Sequence, residues 1–139
     1  MSSIPISKLS IGEAFTAIAL TMIKADKKLV DIEQKKLLLH MQAMNTFEAY
    51  TPEQLHETFE KMFDLYQEIG SDALIQLARQ SLSLKLSEAA FFLATDLSIA
   101  DSILADEEKE MLTRLQNDLR ISDDVAIQVI EVVLIKNRM

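Results

Sequence analysis

Ala25-Asp26-Lys27-Lys28-Leu29-Val30-Asp31-Ile32-Glu33-Gln34-Lys35-Lys36-Leu37 and Ala100-Asp101-Ser102-Ile103-Leu104-Ala105-Asp106-Glu107-Glu108-Lys109-Glu110-Met111-Leu112 read as two versions of one stretch. A shift of 75 residues aligns them, and six of thirteen positions agree. Ala25, Asp26, Leu29, Asp31, Glu33 and Leu37 stand against Ala100, Asp101, Leu104, Asp106, Glu108 and Leu112. Typical residue usage gives roughly one match in an arbitrary alignment of that length. An internal duplication is the reading, and it predicts that the elements flanking each copy correspond as well.

Upstream of the first copy, Ser10 and Glu13 form a Ser-x-x-Glu capping box, the signature of a helix start. Ile11, Ala14, Phe15, Ile18, Ala19, Met22 and Ile23 follow at spacings of three and four, which predicts one buried stripe on a helix ending near Lys24. Residues 1–10 read as an N-terminal arm and 11–139 as a single domain. Within the first copy, Asp31 is expected to open a second helix, placed at the positive end of its dipole, with Gln34 three residues on. That helix carries Ile32, Leu37, Leu38, Met41 and Met44 and is expected to fade by Asn45.

Thr51-Pro52-Glu53-Gln54 combines a Thr cap, Pro at the first helical position and Gln to close the box. Leu55, Phe59, Met62, Phe63, Tyr66 and Ile69 give its inner stripe, and Gly70 is expected to break it before Ser71 and Asp72 restart a helix. A further break is predicted around 83–87, with Ser87 as cap. Ala90, Phe91, Leu93, Ala94 and Leu97 lead into the second copy, and a helix is expected from Asp106. The final segment, Val125 to Arg138, is rich in Val and Ile and suits a strand on propensity alone. The cap signal at Ser122, the helical spacing of Ala126, Val129, Ile130, Val133 and Leu134, and the terminal Lys136 and Arg138 decide for helix.

The composition fits this pattern. Two glycines and two prolines in 139 residues leave little turn material, so long helices are favoured over a many-turned β fold. Zero cysteines exclude disulfides, thiolate metal sites and cysteine nucleophiles. A net charge of −8 speaks against nucleic acid as partner and for cations or basic surfaces. No stretch reaches the roughly 18 apolar residues of a membrane span, and no basic segment precedes an apolar run at the N-terminus. An intracellular location is the expectation.

The duplicated Ala-Asp, short turn, aliphatic residue and acidic helix start resemble the tellurite-resistance TerB-like family. The segment 97–108 is the closer copy and 25–33 the weaker one, and the resemblance covers roughly residues 11 to 135. The family pattern has Gly after the Asp, where this chain has Lys27 and Ser102, and a Ser or Thr cap where Val30 and Ala105 stand. The resemblance implies an all-α, compact bundle of about seven helices in two pseudo-symmetric halves. It also implies a bacterial, cytoplasmic or membrane-peripheral role in metal or stress response, and a non-enzymatic protein is the expectation.

On this reading a divalent cation is held by Asp26, Glu33, Asp101 and Glu108 at the two acidic turns. Hard cations need several oxygens around one point, which one copy supplies only thinly, and neither copy has the ligand spacing of an EF-hand. The competing reading is that these acids are helix-start residues and that the chain is a metal-free acidic module docking, through a helix face, onto a membrane-associated or stress-response protein complex. His56 and Glu60, one turn apart, read as a solvated helix face and not as a zinc motif, because Glu60 stands where a second His is required. His40 is expected to be a partly buried helix residue. The methionines within the helical stripes are expected to fill the core.

Overall fold

The computed structural model describes residues 8–23, 31–99 and 106–139, and for residues 31–34 the backbone alone. The described residues form six α-helices and one short 3-10 turn, with no strand among them. These are α1 (Ile11–Met22), α2 (Asp31–Gln42), the 3-10 turn (Asn45–Phe47), α3 (Pro52–Gln80), α4 (Leu84–Ser98), α5 (Asp106–Leu119) and α6 (Asp123–Lys136). The all-helical reading holds, including for the Val- and Ile-rich α6. The long α3 covers two of the expected segments. Gly70 inside it has φ 85° and ψ 170°, so the helical backbone is interrupted there.

The caps predicted from local sequence are in place. The Ser10 side chain accepts from the Glu13 N–H at 3.1 Å while Glu13 accepts from the Ser10 N–H at 2.9 Å. Thr51 and Gln54 make the same reciprocal pair at the start of α3, with Pro52 in its first turn. Ser122 caps α6 by accepting from the Val125 N–H. One cap differs: Ser83, not Ser87, accepts from the Leu86 N–H and starts α4. Ser87 is buried one turn inside the helix. α2 ends at Gln42, before Asn45 as expected, so Met44 lies beyond the helix and precedes the 3-10 turn.

α1 is the hub. It packs on α2, α3, α4 and the 3-10 turn. Every residue from Ala14 to Met22 is buried, so the helix is covered on all sides and not on a single stripe. Its two threonines tolerate this because each hydroxyl donates back into its own helix, Thr16 to the Gly12 carbonyl at 2.8 Å and Thr21 to the Ile18 carbonyl at 2.7 Å. Ile11, expected in the stripe, faces outward at 43% exposure. Gly12 is required by close approach, since a Cβ there would stand 2.8 Å from the Tyr50 hydroxyl and 2.9 Å from the Phe47 ring. Leu9, in the expected arm, is buried, and its N–H donates to Ser81 Oγ.

α4 is the second central element and packs on α1, α2, α5 and α6. Phe15, Phe47, Phe91, Ile18, Leu20, Met41, Met62 and Leu112 are among the fully buried side chains. Each such residue contributes roughly 1.5–3 kcal/mol relative to exposure. Among the described residues no helix is long and apolar enough to cross a membrane.

Candidate functional site

Asp26 and Asp101 lie outside the described residues, as does the Glu33 side chain. Of the four expected ligands, Glu108 alone is described with its side chain. It is half-buried in the first turn of α5, beside the exposed Asp106 and Glu107, and it is already engaged in an interaction of its own. Among the described residues no three His, Cys, Asp or Glu side chains converge as a metal site would require. His56 and Glu60 pair at 2.9 Å on an exposed helix face, as expected.

The described polar residues concentrate at the C-terminal end of α4, where the chain enters the second acidic stretch. Asp96 is 9% exposed. Lys136 from α6 donates to both its carboxylate oxygens, at 2.8 and 2.9 Å. His40 from α2 meets the same carboxylate through Nε2 at 3.1 Å, and its Nδ1 faces the Lys36 carbonyl oxygen at 2.9 Å. Both ring nitrogens thus face acceptor oxygens.

Two further bonds reach the backbone. Lys36 Nζ donates to the Leu97 carbonyl at 3.3 Å, and Asn137 Nδ2 donates to the Ile99 carbonyl at 2.8 Å. The last carbonyls of a helix have no partner within it, and here side chains of α2 and α6 supply partners. Cationic groups at that end also complement the helix dipole. His40 was legible as a half-buried residue and Lys136 as a helix-end cation, while Asp96 was not singled out. The available signal was a carboxylate inside the apolar run Leu93-Ala94-Thr95-Asp96-Leu97.

A second feature is a shallow groove of about 540 Å³ between the start of α1 and the start of α3, lined by Glu13, Ala49, Tyr50, Gln54, Glu57, Thr58 and Lys61. Lys61 Nζ donates to Glu13 Oε2 at 2.6 Å across it. Burial pushes the Glu13 carboxyl up, but the Lys61 and Ser10 hydrogen bonds and the Lys61 charge outweigh burial and hold it below the usual glutamate range. Glu13 therefore serves twice, as half of a capping box and as the anchor between α1 and α3.

Neither feature pairs a nucleophile with a base. The hydroxyls of Thr16, Thr21 and Thr95, all buried, donate to carbonyls of their own helices. The arrangement ties helices together and offers charge. No family model, curated protein or solved structure matches the chain.

Proposed function

We propose that this chain is a non-enzymatic protein of the tellurite-resistance and stress-response type that binds a divalent cation. In this reading it has two pseudo-symmetric halves of about seven helical segments, and Asp26, Glu33, Asp101 and Glu108 supply the oxygens. The observation that carries the reading is the tie between Asp96 on α4 and His40 on α2. The helix that enters the second acidic stretch is bonded to the helix that leaves the first. A cation ordering either stretch would act on both flanking helices. Two acids from each copy at one site would meet the demand of a hard cation better than either copy alone. The starts of α2 and α5, at Asp31 and Asp106, are separated by the same 75 residues that align the two copies. Counting α3 as two segments about the break at Gly70 supports a reading with seven.

The test is a thermal melt of chelator-treated protein with calcium, magnesium, manganese or zinc added back. A ligand at about 100 times its Kd adds roughly 2.7 kcal/mol, which for a domain of this size is a rise of several degrees. A saturable rise that disappears in Asp26→Asn and Asp101→Asn is the expected result. A cooperative melt that no cation moves would reduce these acids to helix caps. The alternative, a metal-free acidic module that docks onto a membrane-associated or stress-response complex, predicts no cation response and a stable complex in a pull-down.

A further inference from the structure

α6 packs chiefly on α4 and leaves a large part of its surface in solvent. Ala126 and Val133 are its buried residues, whereas Ile127, Val132 and Ile135 are 55%, 51% and 53% exposed. Three β-branched side chains of this 14-residue helix are thus more than half exposed.

The outer face has an order of its own. Asp124, Ile127, Glu131, Ile135 and Arg138 follow at spacings of three, four, four and three, which places them on one side of the helix. Asn137 keeps right-handed helical backbone, so Arg138 continues that side. The spacing reads the same from either end, with Glu131 at the centre. The charges are opposite at the two ends, and the apolar residues stand between. Asp124, Glu131 and Arg138 are exposed, and none forms an ion pair within the described residues.

A twofold axis requires a surface that complements itself, residue i meeting j while j meets i. We infer that the outer face of α6 pairs antiparallel with the same face of a second copy of this chain. Ile127 then packs on the partner's Ile135, and Asp124 meets the partner's Arg138, each contact occurring twice. The two helix dipoles oppose, which also favours the pairing. Glu131 meets its own copy on the axis, so like charge weakens the dimer. A helix of this length spans about 21 Å. Such a contact is smaller than the roughly 1,200 Å² of a stable interface, so the dimer is weak and concentration-dependent.

The experiment is sedimentation velocity on the full chain from about 10 μM to about 1 mM, the range expected for so small an interface. A monomer–dimer equilibrium is expected. Ile127→Asp and Ile135→Asp should abolish it, with circular dichroism showing that the fold is kept, since both side chains already face solvent. Glu131→Gln should tighten it several-fold. Asp124→Arg and Arg138→Asp should each weaken it, and the two together should restore it. A chain that stays monomeric to 1 mM overturns the proposal and leaves the face to a different partner. So does a dimer indifferent to the two Asp variants, or a charge exchange that restores nothing.

Discussion

Gly70 and Arg120 both take positive φ, and their substitutions are expected to act in opposite directions. Gly70 lies at φ 85°, ψ 170°, a region that side-chain-bearing residues almost never enter. A Cβ there would meet nothing within 4 Å, so packing is not the obstacle. Gly70→Ala is expected to destabilise the chain by about 1–3 kcal/mol through backbone strain alone. Arg120, at φ 60°, follows α5 in the left-handed conformation that Gly adopts more easily. The Ile121 N–H donates to the Gln116 carbonyl and the Arg120 N–H to the Asn117 carbonyl, the bond pair of a Schellman closure. Arg120→Gly removes the Cβ penalty but adds chain entropy to the unfolded state, so a net gain of about 0.5 kcal/mol is expected. Urea midpoints at constant slope measure both. A neutral Gly70→Ala would mean that α3 can run straight through without a break.

Among the helices, the tie between α2, α4 and α6 is the contact with the most at stake. Removing Lys136 leaves the nearly buried Asp96 carboxylate with His40 as its remaining side-chain partner. Loss of a partner from a buried pair costs roughly 3–5 kcal/mol, but Lys136 is 53% exposed and water can replace part of what it gives. Lys136→Met is expected to cost about 1–2 kcal/mol. Asp96→Asn should cost a similar amount, and the double variant less than the sum by at least about 0.5 kcal/mol. Additive losses in that cycle would show that the two side chains do not act as a pair. This tie also marks the limit of what sequence reveals. Caps at Ser10, Thr51 and Ser122 were legible because each is complete within four residues. Buried positions were legible where apolar residues repeat at helical spacing, as at Leu55, Phe59 and Met62 of α3, although Ile69, expected on the same stripe, is exposed. The all-round burial of α1 was not, because Thr16 and Thr21 look polar until their hydroxyls turn back onto their own helix. Nor was Asp96 legible as a hub. Its partners come from residues 56 positions before it and 40 after it, a proximity that local pattern does not encode. The four acids expected to hold a cation were read from the repeat, and Glu108 is the one whose side chain is described.

At the scale of the whole molecule, the sequence carries 22 acidic against 14 basic residues, so acid should act through carboxylates that the fold holds ionised. Glu13 is the clearest of these, since it accepts from Lys61 on α3 and from the Ser10 N–H at once. Its folded-state carboxyl is held below the ordinary value of 4.5. A carboxyl lowered on folding contributes stability that is present above the unfolded value and is lost as pH falls through the folded one. The loss therefore belongs below about pH 4.5 and leaves neutral pH untouched. Lys61 is 64% exposed, and solvent screens its side of the pair, so the contribution is expected to stay under about 1 kcal/mol. The check compares urea midpoints of the native chain and Glu13→Gln at pH 6 and pH 3. The variant should be less stable at pH 6, where the ionised Glu13 is at work, and the gap should narrow toward pH 3 as that carboxyl takes up its proton. A gap of equal size at both pH values would assign the role of Glu13 to its uncharged hydrogen bonds and packing. A gap that widened toward pH 3 would place the shift in the opposite direction, with burial outweighing Lys61 and Ser10.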